Sequence, residues 1–128
     1  MSERLATRDY DAEIIAAVIR QLKVDHYLSE QRYAEAFLRS RLKRGEAPWL
    51  AAQKARQKGA DIHVLEEVLA EMNEAYDEMQ AARTLLAARD PGGFRFEDER
   101  VWQRQARFLR NKGYSSATVL RVLKERSE

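Results

Sequence analysis

Lys58-Gly59-Ala60-Asp61 leads into Val64, Leu65, Val68 and Leu69, and 54 positions later Lys112-Gly113-Tyr114-Ser115 leads into Val119, Val122 and Leu123. A turn-plus-helix pattern that recurs at a fixed offset restricts the chain to repeated helical units. A weaker copy stands 50 residues before the first, where Asp9, Tyr10, Asp11, Ile14, Ile15, Val18 and Ile19 match Gly59, Ala60, Asp61, Val64, Leu65, Val68 and Leu69. Asp9 takes the glycine place there, which is tolerable because Asp enters the left-handed region more readily than most residues. A second series repeats at an offset of 48, with Ala34, Phe37, Leu38 and Arg41 matching Ala82, Leu85, Leu86 and Arg89.

Each unit therefore reads helix, Gly turn, helix, short link, long helix, over about 50 residues. The expected division is residues 1–45 as a first repeat lacking most of its first helix, 46–91 as a second, and 92–128 as a third without its last helix. No strand alternation appears, so the expected fold is all-α: tandem three-helix repeats with a helix-turn-helix look, forming an elongated curved arm with a concave face.

Local signals place the elements. Asp11 is a plausible N-cap for a helix from about Ala12 to Lys23, Val24 to Leu28 reads as a connector, and Ser29 begins a long amphipathic helix ending at Gly45. Pro48 suits the first turn of a helix over 49–58, which stops at Gly59. Asp90 to Phe96, with its Pro and paired Gly, is a loop that Phe94 and Phe96 are expected to pin to the core. Between Asp98 and Lys112 a further helix turns Val101, Trp102, Gln105, Ala106, Phe108 and Leu109 inward and Arg100, Arg104 and Arg107 outward, with Arg110 at the flank.

Arg41 is a charge in the wrong place, between Ala34 and Phe37 on the apolar side of the long helix. An unpaired buried charge costs several kcal/mol. Either its stem packs while its fork reaches carboxylates such as Glu66 or Glu67 or helix-end carbonyls, or it lies at the rim of a partner-binding face.

The net charge of +2 hides a segregation. From Ser29 to Asp61 eight bases oppose four acids, from Ile62 to Met79 there are six acids and no Lys or Arg, and from Arg100 to Arg126 eight bases face only Glu125. Two basic surfaces separated by an acidic one favour a polyanion or an acidic protein as partner, although solvated helix faces give the same pattern. Catalysis finds little support. With 0 cysteines there is no thiol chemistry, and the two histidines, His26 and His63, lie in different repeats. His63, Glu66 and Glu67 approach a zinc-protease pattern without its second histidine, and phosphate-loop and nucleophile-elbow motifs are missing. No enzyme activity, metal or cofactor is expected. The opening residues are too charged for a signal peptide and no apolar run suffices for a membrane span, so a cytoplasmic monomer is expected.

RYAEAFLRSR at Arg32 to Arg41, followed by Arg44-Gly45, Pro48, Gln57-Lys58-Gly59 and then RFLRNKGYS at Arg107 to Ser115, resembles the RecX family of bacterial regulators. The resemblance runs from Leu5 to Lys124. It implies a crescent of three tandem three-helix repeats that binds the groove of the RecA filament on single-stranded DNA, blocks its extension, and so suppresses recombination and coprotease activity; direct DNA contact is a further implication. The chain departs from the pattern in three places. Glu46-Ala47 precedes Pro48 where the family shows Gly-x-Gly-Pro, Ala51 and Ala55 stand where larger aliphatics are usual, and the amino end is shorter. Given the resemblance, the expected partner-binding residues are Arg32, Arg39, Arg41, Lys43, Arg44, Lys58, Arg100, Arg104, Arg107, Arg110 and Lys112.

Overall fold

The computed structural model describes the backbone of residues 2–126 and the side chains of residues 11–126. Helix α1 runs without interruption over Ser2–Lys43, 42 residues. At 1.5 Å per residue it is about 63 Å long. Three expectations fail here: Asp11 lies inside α1 rather than capping a helix, Val24 to Leu28 is helical rather than a connector, and Ser29 lies within α1 rather than beginning a helix. The side chains of Asp9 and Tyr10, which open the weak repeat, lie outside the described residues.

The cause of that continuity shows at the link 48 positions further on, between α3 (Ile62–Ala75) and α4 (Glu78–Arg89). There Tyr76 leaves the helix at φ −90 and ψ 124, and Asp77 caps α4 by accepting from Gln80 N at 3.1 Å. Tyr76 is half-buried, whereas its counterpart Leu28 is 44% exposed. Val24 to Leu28 contains no Gly or Pro and its side chains are all exposed, with no buried residue to draw it off the helix, so the helical hydrogen bonds continue.

The other turns fall where Gly and Pro place them. Gly45 (φ +92) ends α1, and Pro48 starts α2 (Pro48–Gln57). Gly59 (φ +92) separates α2 from α3, whose N-cap Asp61 accepts from His63 N and Val64 N. Those hydrogen bonds, Val64 first, hold the Asp61 carboxyl below its usual pKa. Beyond α4, helix α5 (Glu99–Asn111) is capped by Asp98 and α6 (Ser116–Lys124) by Ser115, with Gly113 at φ +98 between them. The described residues contain these six α-helices, one 3₁₀ turn at Phe94–Phe96, and no strand.

Two buried clusters hold the chain together. The first joins Ala34 and Leu38 of α1, Ala51, Ala52 and Ala55 of α2, Ala60, and Val64, Leu65 and Val68 of α3. The second joins Ala82 and Leu86 of α4, Ala106 and Leu109 of α5, Tyr114, and Val119, Val122 and Leu123 of α6. Each core thus unites a long helix with the Gly-turn helix pair that follows it. The repeat boundaries read from the sequence, at 45/46 and 91/92, run through these cores, so consecutive sequence repeats share one core. The small side chains Ala51, Ala52 and Ala55, each 2% exposed or less, let α2 lie close against its neighbours.

Gly turns also join the two units. Ala47 N donates to Lys112 O at 2.8 Å, the Trp49 indole Nε1 donates to Gly113 O at 2.6 Å, and Tyr114 OH donates to Gly45 O at 2.8 Å. A Cβ built on Gly113 would stand 3.1 Å from both Ala47 Cβ and Leu50 Cβ, so this turn is packed shut. Burial raises the Tyr114 hydroxyl above its ordinary pKa, which favours its protonated, donating form.

The loop from Asp90 to Phe96 is fastened differently from expectation. Phe94 is 59% exposed and pins nothing. Arg95 does the fastening: it pairs with buried Asp90 at 3.0 Å and donates to Leu123 O and Glu125 O, satisfying carbonyls at the end of α6. Burial pushes the Asp90 carboxyl up, but the Arg95 guanidinium and the N–H groups of Arg95 and Phe94 outweigh it and leave the pKa below the usual range. Phe96 packs edge-on to Trp102 at 6.1 Å.

Candidate functional site

Helix α5 separates its residues cleanly. Gln105, Ala106 and Leu109 are buried, and Val101, Trp102 and Phe108 are half-buried. Arg100, Arg104, Arg107 and Arg110 are exposed. Arg100, Arg104 and Arg107 share with Glu99 and Gln103 a shallow groove of about 420 Å³. The ion pairs of the described residues are Arg41–Glu46, Lys54–Glu46, Arg56–Glu66, Arg83–Glu125 and Arg95–Asp90, and His26 Nε2 stands 3.7 Å from the Asp61 carboxylate. None of them uses an arginine of α5. Each fork in the row keeps five donors for an outside acceptor, and the planar guanidinium suits phosphate and carboxylate equally.

A second row lies on α1. Arg32, Arg39 and Lys43 are exposed and follow one another at spacings of seven and four, on the side away from Ala34 and Leu38. Arg39 borders a groove that also contains Glu35 and Glu71, so its field is partly offset. Lys43 and Arg44, both exposed, adjoin Gly45, which the joint ties to Tyr114. The joint therefore brings the basic end of α1 beside the basic end of α5, where Lys112 is half-buried with its Nζ 5.7 Å from the centre of the Phe108 ring. Lys58 stands apart from this meeting. It is exposed, and it follows α2, whose ten residues carry it about 15 Å from the joint.

Arg41 is engaged within the chain. Its Nη1 lies 3.3 Å from Glu46 Oε1, and its guanidinium sits over the Phe37 ring at 5.3 Å. The partner is not Glu66, which pairs with Arg56, nor Glu67, which accepts from Tyr27 OH at 2.6 Å. Glu46, 6% exposed, takes both Arg41 and Lys54 on one oxygen, and its Oε2 is buried with no hydrogen-bond donor among the described residues. Arg89, the counterpart of Arg41 in the second unit, solves the same problem similarly: its Nε donates to Gln105 Oε1 at 2.8 Å and its guanidinium stacks 3.9 Å from the Phe108 ring centre.

Sequence reasoning missed Glu46 as the anion beneath Arg41 and Gln105 as the acceptor beneath Arg89. The available signal was Glu46's place between Gly45 and Pro48, where a turn folds it back onto the last turn of α1. Exposed Arg56, paired with Glu66, also extends the α2 surface toward Lys58. Among the described residues no cluster of three metal-binding side chains occurs, and no helix is long and apolar enough to cross a membrane.

Residues 29–69, spanning the carboxyl-terminal part of α1, α2 and most of α3, match the family model described as RecX, second three-helix domain. The regulatory protein RecX of Halorhodospira halophila is 34% identical over 119 residues, covering 93% of this chain and 72% of that protein. The regulatory protein RecX of Vibrio parahaemolyticus is 30% identical over 115 residues, covering 90% and 72% respectively. For that of Trichlorobacter lovleyi the identity is 28% over 127 residues, covering 98% and 82%. No solved structure matches the chain.

Proposed function

Because the chain belongs to the RecX family, we propose that it is a non-enzymatic regulator of a RecA recombinase. It docks a basic, curved face on the RecA filament assembled on single-stranded DNA and stops the filament from extending. Recombination and coprotease activity fall as a consequence. The observation that carries this reading is the row of Arg100, Arg104 and Arg107 along α5, exposed and free of ion pairs with described residues. Such a row suits a surface dense in carboxylates or phosphates, both of which a RecA–DNA filament offers. The meeting of Lys43 and Arg44 with the end of α5 lengthens that face. It acts from the cytoplasm and as a monomer.

RecA-dependent ATP hydrolysis on single-stranded DNA tests the proposal. Added in excess, the protein lowers the turnover and shortens filaments seen by electron microscopy. Arg104→Glu combined with Arg107→Glu abolishes the inhibition and leaves the far-ultraviolet circular dichroism unchanged, since both side chains are exposed. Undiminished inhibition by that variant would put the site elsewhere. A second reading is an autonomous DNA-binding module, favoured by the two helix pairs α2–α3 and α5–α6 turning at Gly59 and Gly113. DNA affinity that needs no RecA and falls steeply with salt would select it.

A further inference from the structure

A cleft of about 470 Å³ lies where the end of α1 meets the α3–α4 link and α4. Both units build its wall: Leu42, Lys43, Arg44 and Glu46 come from the first, and Tyr76 and Leu85 from the link and α4. Small-molecule sites run from about 300 to 1,000 Å³, so the space suits a compact ligand. The cleft is also held in shape. A Cβ built on Gly45 would stand 2.8 Å from Leu85 Cδ1, so α1 and α4 meet closely, and the Tyr114 hydroxyl bonds Gly45 O beside them.

Among the described residues two buried side-chain atoms lack a hydrogen-bond partner, Glu46 Oε2 and the Tyr76 hydroxyl, and both residues line this cleft. Folded proteins pair nearly all such groups, so two orphans around one opening point to something that enters it. Their chemistries are opposite. Glu46 is 6% exposed and gives its Oε1 to Arg41 and Lys54, which leaves Oε2 to accept one further N–H or O–H. Tyr76 is held protonated: burial first, and then the nearby Tyr114 hydroxyl, push its pKa well above the ordinary phenol value. Tyr114 spends its own proton on Gly45 O and makes no hydrogen bond to Tyr76, so the Tyr76 O–H is left to donate.

The rest of the wall narrows the ligand further. Lys43 and Arg44 are exposed, and neither enters an ion pair among the described residues, so both are available to an anion. Leu42 and Leu85 supply the apolar contact that a flat ring takes up. A single ligand meeting these demands carries an N–H donor beside an acceptor, a planar body and a negative group. The pairing edge of every nucleobase places a donor next to an acceptor, and a nucleotide adds the phosphate.

We propose that this cleft is a nucleotide-binding site. Glu46 Oε2 accepts an N–H of the base, the Tyr76 hydroxyl donates to the neighbouring acceptor, Leu42 and Leu85 flank the ring, and Lys43 and Arg44 hold the phosphate. The nucleotide is either free or an unstacked residue of a single strand, and the recognition is the same for both. The inference does not rest on the RecA reading. The two share Lys43 and Arg44, but Glu46 and Tyr76 serve the cleft alone, and its test contains no RecA.

Thymidine monophosphate is the probe, added to the full chain and followed by calorimetry and by the amide resonances of Glu46 and Tyr76. Thymidine, inorganic phosphate and a short oligothymidylate are parallel arms. The monophosphate binds saturably with a Kd below about 1 mM and moves both resonances, while thymidine and phosphate each bind at least tenfold more weakly. Tyr76→Phe removes only a hydroxyl that bonds nothing, so it weakens binding about fivefold at an unchanged melting temperature. Glu46→Gln keeps an oxygen for Arg41 and Lys54 but presents an NH₂ to the ligand's N–H, and it weakens binding at least as much. Should that variant loosen the fold, Tyr76→Phe decides alone. An oligomer that binds more tightly than the monomer and weakens in the same variants makes a strand the source. An oligomer no tighter than the monomer makes it the free nucleotide, and both results support the site. No binding of monomer or oligomer at about 1 mM overturns it. Inorganic phosphate that binds as well as the monophosphate, or oligomer binding that ignores both variants, reduces the site to surface cations and also overturns it.

Discussion

The two three-helix units share a plan and differ in how their turns are secured. In the first, an alanine-faced α2 packs close, a buried Glu46 gathers Arg41 and Lys54, and the Gly59 turn stands open. In the second, α5 brings Leu109 into the core with Trp102 and Phe108 beside it, Arg95 ties the loop to the end of α6, and Gly113 is packed shut against the first unit. The difference teaches that repeated sequence need not mean repeated stability. Units of a repeat array gain from each interface they complete, and among the described residues only the second unit has both its core and its Gly turn covered.

The contrast breaks most visibly at Arg95. Arg95→Ala leaves Asp90 buried without its cation and frees two carbonyls of α6, and a stability loss of about 3 kcal/mol is expected in chemical denaturation. The loss falls on the second unit, which hydrogen exchange resolves from the first. Asp90 adds a pH signature. Its folded pKa is depressed, so its contribution is fully present above the unfolded carboxylate value of about 3.9 and is lost as pH falls through the lower folded value. Asp90→Asn should flatten the stability curve in that acidic window and leave the neutral-to-basic limb alone.

A sharper test of the comparison lies in the paired glycines. Gly59→Ala places a side chain in the left-handed region at a cost of about 1 kcal/mol. Gly113→Ala incurs the same strain and also drives a methyl against Ala47 and Leu50, for a total of about 2 kcal/mol. Equal melting temperatures for the two variants would mean that Gly113 is not the closed turn described above. The smallest effect belongs to Trp49→Phe, which deletes the indole hydrogen bond to Gly113 O of a largely exposed side chain and should cost about 0.5 kcal/mol. Its consequence is a looser junction rather than a weaker core.

Much of this was legible beforehand where a residue can do only one thing. Gly45, Gly59 and Gly113 adopt positive φ as the helical pattern demands, Pro48 opens α2, and the arginines of α5 face outward because the opposite face is apolar. Arg41 was recognised as needing a partner, but the identity of that partner depends on how Gly45 folds Glu46 back, which no periodicity encodes. The connector expected over Val24 to Leu28 does not form. The α3–α4 link exists because Tyr76 leaves the helix half-buried and Asp77 caps α4, whereas at the equivalent place Leu28 is exposed and Ser29, a residue able to cap, stays inside the helix. Phe94 was misplaced for a similar reason: composition marks an aromatic as core material, while the anchoring of that loop came from the charged residue beside it.

The hydrogen bonds across the junction between the units run from Ala47 N, the Trp49 indole and the Tyr114 hydroxyl to main-chain carbonyls of Lys112, Gly113 and Gly45. Main-chain atoms survive every substitution that leaves the local dihedrals alone. Charges along the outer helices can therefore be exchanged without disturbing the angle that the main chain sets between the two units.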